Sequence, residues 1–212
     1  MVSRNTYYLA VIIGVALAVG ALVGSMEMQS PKRASVPQQE AQHAEQVTDL
    51  SKLAEKGDPA AEYELAKMYM DDSSVPKNEI DARKWLERAA VHGNTAAQYE
   101  LGLALRDGRG GLQDFAAAMK WINVAAEGGY GKAQLALGLM YRQGLGTHVD
   151  DVKAYTWFNL AAAQGVDGAA AARDVVRTRL SPDEINLAQS ESRRLSGLQP
   201  GAPDKGSGAG AR

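Results

Sequence analysis

Two consecutive stretches decide the fold: GNTAAQYELGLALRDGRGGLQDFAAAMKWINVAAEG at residues 93–128 and GYGKAQLALGLMYRQGLGTHVDDVKAYTWFNLAAAQ at residues 129–164. They align without a gap at an interval of 36 residues, so that Trp121 of one matches Trp157 of the other. Working outward, Trp85 lies a further 36 residues upstream, and these three are all the tryptophans of the chain. The same interval relates Gly57, Gly93, Gly129 and Gly165, and again Ala61, Ala97, Ala133 and Ala169. It also relates Leu65, Leu101 and Leu137, and Ala82, Ala118 and Ala154. A register kept this strictly is the mark of a tandem array in which each unit is one supersecondary element.

Within a unit, Ala97, Leu101 and Leu105 fall at i, i+4 and i+8, while Ala118, Trp121, Ala125 and Ala126 form a second apolar stripe. Both stripes have the period of an amphipathic helix. Asn78, Asp114 and Asp150 share the column before the second helix, where a side-chain oxygen caps free backbone N–H groups. The glycine column closes each second helix, because a residue without a β-carbon enters the left-handed region at little cost. Asp58 and Pro59 then restart the chain as cap and first helical residue. A connection this short makes neighbouring helices antiparallel.

The predicted class is therefore all-α, a superhelical solenoid of 36-residue helical hairpins with repeats at 57–92, 93–128 and 129–164. One hairpin cannot bury its own stripe, so such an array needs caps at both ends. Residues 44–56 match the second half of a unit and predict an N-terminal cap helix. Gly165 and Ala169 open a fourth first-helix, but Arg173 stands where the column requires leucine, so residues 165–196 read as the C-terminal cap. There Ser181-Pro182-Asp183-Glu184 has the capping-box pattern of a new helix continuing to Leu195. The repeat domain as a whole is expected at 44–196.

Outside it, a leader of residues 1–6 precedes an uncharged apolar run from Tyr7 to Gly24. As a helix rising about 1.5 Å per residue, that run covers about 27 Å, close to a hydrocarbon core. Residues 7–26 are accordingly expected to be a single transmembrane anchor. A cleaved signal is the open alternative, since Val23-Gly24-Ser25 has the small-x-small pattern of a cleavage site. With the amino end retained inside, the repeat domain is expected in the periplasm, tethered to the inner (cytoplasmic) membrane; cleavage would release it into the same compartment. Gly20 and Gly24 have the spacing of a helix-pairing seam and suggest weak self-association. Residues 27–43 and 197–212 are too rich in polar residues, Pro and Gly to build a core, and read as a flexible linker and a disordered tail.

The unit Ala97-x-x-x-Leu101-Gly102, Gly108-x-Gly110, Asp114, Ala118-x-x-Trp121-x-x-x-Ala125-Ala126-x-x-Gly129 resembles the Sel-one-like repeat, a relative of the tetratricopeptide repeat. Ala133-x-x-x-Leu137-Gly138-x-x-Tyr141 matches more closely still, and the resemblance covers roughly residues 44 to 195. It implies a right-handed superhelix that serves as an adaptor for other proteins, often in bacterial envelopes. Copy one departs from the pattern in its loop, with Asp72 and Ser74 for the glycines, and copy two has Leu105 where tyrosine is usual.

Little in the sequence points to chemistry. With no cysteine among 212 residues, disulfides and thiol chemistry are excluded, and a formal charge of -2 gives no sign of a nucleic-acid partner. His43, His92 and His148 lack ligand spacing, so no metal and no cofactor are expected. Ser74-Val75-Pro76-Lys77 has the Ser-x-x-Lys spacing of penicillin-recognising hydrolases, but Pro76 and a loop setting oppose it and the accompanying motifs are missing. Cell-wall or β-lactam hydrolysis is thus a remote alternative, and the chain reads as a non-enzyme.

If the array follows the tetratricopeptide arrangement, first-helix residues pointing away from Leu65, Leu101 and Leu137 line a concave face. Three columns result: Tyr63, Tyr99 and Leu135; Lys67, Leu103 and Leu139; Met70, Arg106 and Arg142. An apolar strip edged by two arginines one repeat apart suits an extended or helical segment carrying carboxylates. The competing reading packs the tyrosines between hairpins. The expected function is a membrane-anchored scaffold that captures a protein partner; the alternative is a structural subunit of an envelope secretion or polysaccharide-export assembly.

Overall fold

The computed structural model describes residues 47–71 and 77–198. The candidate span at 7–26 with Gly20 and Gly24, the linker, the tail, His43 and Ser74 all lie outside the described residues. Among those described, no strand occurs and no helix is long and apolar enough to cross a membrane. The helices are α1 (47–55), α2 (Pro59–Asp71), α3 (Glu79–Val91), α4 (Thr95–Asp107), α5 (Phe115–Glu127), α6 (Gly131–Gln143), α7 (Asp151–Ala163), α8 (Ala169–Arg177) and α9 (Pro182–Leu198). From α2 to α7 each helix is 13 residues long, and both helix types recur at the 36-residue interval. The last helix runs to Leu198, past the expected end of the cap at 196.

Punctuation residues explain this regularity. The side chains of Asn78, Asp114 and Asp150 accept hydrogen bonds from the backbone N–H groups of Asp81, Ala117 and Lys153. Their own N–H groups donate to the carbonyls of Tyr69, Leu105 and Tyr141 at 2.9–3.0 Å, closing each hairpin in the same way. At the other turn Gly93 has a φ of 90°, and the following N–H, of Asn94, donates to Ala89 O at 2.9 Å. That is the left-handed helix stop the glycine column predicts. Asn94 also donates its amide to Pro59 O, tying the second hairpin to the first.

Within a hairpin the two helices approach closely, and side-chain volume is traded across the contact. A β-carbon on Gly102 would come 2.4 Å from Ile122 Cγ1, and one on Gly138 would come 2.6 Å from the Phe158 ring. The corresponding pair in the first hairpin is Ala66 and Leu86, which against Gly138 and Phe158 of the third puts a larger residue on α2 and a smaller one on α3.

Between hairpins, one apolar cluster runs from Ala66 and Leu86 through Leu101, Ile122 and Leu137 to Trp157. Trp85 and Trp121 pack half-buried against it, so the three tryptophans share one continuous interior. At the amino end Ala54 of α1 joins Ala61 and Leu65, and at the other end Phe158 packs with Val176 of α8 and Ala188 of α9. The helix α9 folds back onto α7 through a polar seam, where the buried Ser192 hydroxyl donates to the carbonyls of Thr156 and Ala188. Its start is a capping box: Ser181 N–H donates to the Glu184 carboxylate at 2.8 Å and Glu184 N–H to Ser181 Oγ at 3.3 Å. The Ser181 N–H and, beside it, the Ser181 hydroxyl donate to the Glu184 carboxylate and hold it below the usual range.

Candidate functional site

Helix geometry places all nine predicted groove residues on α2, α4 and α6, and every one of them is half-buried. They do not share one surround. Tyr63, Met70, Tyr99 and Leu103 pack against the long central cluster, whereas Leu135 and Leu139 pack against the C-terminal one. The Tyr99 and Tyr130 rings stand 5.3 Å apart at 55°. Burial pushes the Tyr63 hydroxyl up to about 12, with Glu100 and Tyr130 adding to the effect. Tyr99 is raised as well, first by burial and then by Glu100. The tyrosines therefore serve as packing between hairpins while keeping part of each ring accessible.

Tyr130 is a member of this cluster that sequence reasoning missed. It occupies the cap position of α6 and makes no side-chain cap bond, where Asp58 and Asn94 cap α2 and α4. A bulky aromatic in a column of capping residues was the available signal.

The cations behave differently from one another. Lys67 bonds Glu64 at 2.7 Å and lies 5.4 Å from the Tyr63 ring centre. Arg106 donates two hydrogen bonds to the adjacent Asp107, which raises its own pKa and holds the Asp107 carboxyl below the usual range. Arg142 makes no ion pair among the described residues, so of the two predicted clamp arginines it alone keeps its charge uncommitted.

A buried polar column runs beside this face. Gln98 and Gln134 donate to the carbonyls of Ala90 and Ala126 at 3.2 Å, and Gln134 accepts from Gln164. The first hairpin has Glu62 there, fully buried. Arg88 Nε lies 2.9 Å and His92 Nδ1 2.6 Å from its two carboxylate oxygens, the Arg88 contact being an ion pair without hydrogen-bond alignment. Arg88 also donates to Ala54 O at 2.7 Å and stacks over Trp85. His92, which the sequence marked only as lacking metal-ligand spacing, is thus a partner of a buried acid.

A cavity of about 90 Å³ opens at the junction of the first two hairpins, lined by Met70, Lys77, Glu79, Ala82, Arg83, Leu86, Ala104 and Arg109. Its lining holds no serine, threonine or cysteine among the described residues. Among the described residues no group of three or more histidine or carboxylate side chains is placed to hold a metal.

The model of the Sel1 repeat matches residues 59–94, 95–130 and 131–166. No curated protein matches the chain. Among solved structures, a Sel1 repeat protein from Oxalobacter formigenes is 35% identical with a TM-score of 0.57, over 61% of this chain and 97% of that one. The protective antigen c5321 of uropathogenic Escherichia coli, which displays an SLR fold, is 27% identical with a TM-score of 0.56, over 74% of this chain and 41% of that one.

Proposed function

This chain belongs to the Sel1 repeat family, and from that membership we propose that it is a scaffold which captures a segment of a protein partner across α2, α4 and α6. Sel1-like repeat proteins act as protein-interaction scaffolds. The observation that carries the reading is the set of nine half-buried side chains on three successive first-helices, with partly accessible tyrosines at one end and the uncommitted Arg142 at the other. Rigid aromatic area costs little conformational entropy to immobilise, and a guanidinium without an internal partner has hydrogen bonds to offer a carboxylate. The apolar run at 7–26 supports a membrane tether that keeps the scaffold at the outer face of the inner membrane.

The test is position-dependent crosslinking in cells, with a photoreactive side chain introduced at Leu103 or Arg142 and, for comparison, at the exposed Lys120 of α5. Adducts of one discrete mass from the first two positions and none from Lys120 are expected. Arg142→Glu should weaken capture of that partner about tenfold without moving the melting temperature. Equal adducts from Lys120, or unchanged capture by Arg142→Glu, would remove this face from consideration.

A further inference from the structure

The cavity between the first two hairpins has a counterpart 36 residues on, and the two are built in opposite ways. Arg83, Arg109 and Glu79 of the first junction correspond to Met119, Leu145 and Phe115 of the second. Met119 and Leu145 pack half-buried against the central core, so the second junction has apolar side chains where the first has arginines. The first instead carries two guanidinium groups over a floor of Met70, Ala82, Leu86 and Ala104.

These guanidinium groups are held in place. Arg83 is only 18% exposed, pairs with Glu87 at 3.2 Å and donates to Leu112 O at 3.2 Å. Space for its head is left by Gly111, where a β-carbon would come 2.6 Å from Arg83 Nη1; the same column holds Thr147 in the next unit. Among the described residues Arg109 has no carboxylate within hydrogen-bond distance, Glu100 and Asp107 both standing 3.9 Å away, and its Nη1 reaches only Met70 Sδ at 4.0 Å. A planar fork of donors facing a small cavity, with a second fork fixed beside it, matches a carboxylate.

From this juxtaposition we infer that the first junction is a carboxylate-binding notch, taking either a small free carboxylate or the side chain of an aspartate or glutamate on a protein. The apolar floor accommodates the adjoining methylene groups. Glu79 in the wall opposes the second negative charge of a phosphate. The notch stands independently of the groove, although Met70 borders both.

The experiment uses the full chain in detergent with 15N-labelled arginine, following the Arg109 side-chain N–H resonance during titration. Glutarate and its neutral isostere glutaramide form the small-molecule arm; a blocked peptide carrying one aspartate, and the same peptide with asparagine, form the protein arm. A saturable shift is expected with glutarate, with the aspartate peptide or with both, and about tenfold weaker or no response with the neutral members. Whichever arm binds more tightly identifies the source. The variant Arg83→Met with Arg109→Leu places the second junction's two apolar side chains in the first, and its melting temperature shows that it folds; followed by backbone amide shifts around Ala104, it should lose the response. No saturable shift in either arm, an equal response to phosphate, or a persisting response in the double variant would overturn the proposal. Because the readout is local to Arg109, its failure leaves the crosslinking test of the groove unaffected, and the reverse also holds.

Discussion

In the second and third hairpins, an amide at position 98 or 134 reaches back to the last turn of the preceding helix and donates to the carbonyl of Ala90 or Ala126. In the first hairpin the same column holds Glu62, which has no N–H to give, and the corresponding carbonyl of Ala54 receives its hydrogen bond from Arg88. What the position demands is a donor to a buried carbonyl, not a particular residue. The charged solution brings a cost the amide lacks, because a buried carboxylate needs compensating cations of its own. Arg88 provides the charge while His92 adds a second close contact, and Arg88 thereby does two tasks at once.

The largest effect follows from breaking that arrangement. Arg88→Ala should destabilise the domain by roughly 3 kcal/mol, since it leaves the buried Glu62 carboxylate with His92 as its one close partner and the Ala54 carbonyl without its donor. Changing Glu62→Gln and Arg88→Val together copies the second hairpin, where Gln98 and Val124 occupy those columns. Urea unfolding should then show most of the loss restored; a double variant as unstable as Arg88→Ala would mean the two solutions are not interchangeable.

Next in size is the helix–helix contact. Gly138→Ala should cost about 1–3 kcal/mol through overpacking against Phe158, and adding Phe158→Leu should recover most of it by recreating the Ala66 and Leu86 pair of the first hairpin. Thermal melts of the single and double variants read this out. Cap removal is smaller: Asp114→Ala should lose about 1 kcal/mol by the same measurement.

The smallest effect separates the tyrosine-rich first half from the leucine-bearing third hairpin. The Tyr63 hydroxyl is raised from 10.0 to about 12 in the folded chain, so the unfolded chain loses its proton first as pH rises. Stability is therefore intact below pH 10 and declines between about 10 and 12. Tyr63→Phe should make that alkaline decline shallower, measured as urea midpoints on either side of pH 10.

Much of this was legible in the residues. The 36-residue interval, the glycine stops, the Asn78, Asp114 and Asp150 caps and the capping box at Ser181 all follow from local rules, because each depends on backbone conformation within a few residues. The closing helix from Pro182 was readable for the same reason, whereas the cap helix expected at 44–56, of which 47–55 is described as helix, was read from its match to the second half of a unit. Less legible were the roles of His92, Arg88 and Tyr130. Their partners lie some 30 residues away in the chain, and spacing alone carries no record of which side chain turns toward which. The split fate of Arg106 and Arg142 is of the same kind: one neighbour, Asp107 against Gln143, decides whether the charge is already spent.

The sequence by itself determined the number of hairpins, their register and the stops between them, since periodic local signals specify helices without reference to anything distant. Only the tertiary structure decided how buried polar groups are satisfied, and that two junctions one repeat apart differ, the first an arginine-lined cavity and the second one where Met119 and Leu145 pack against the core. Both depend on volumes and hydrogen-bond partners that meet across the stack, where a single column change is answered by a residue in another helix.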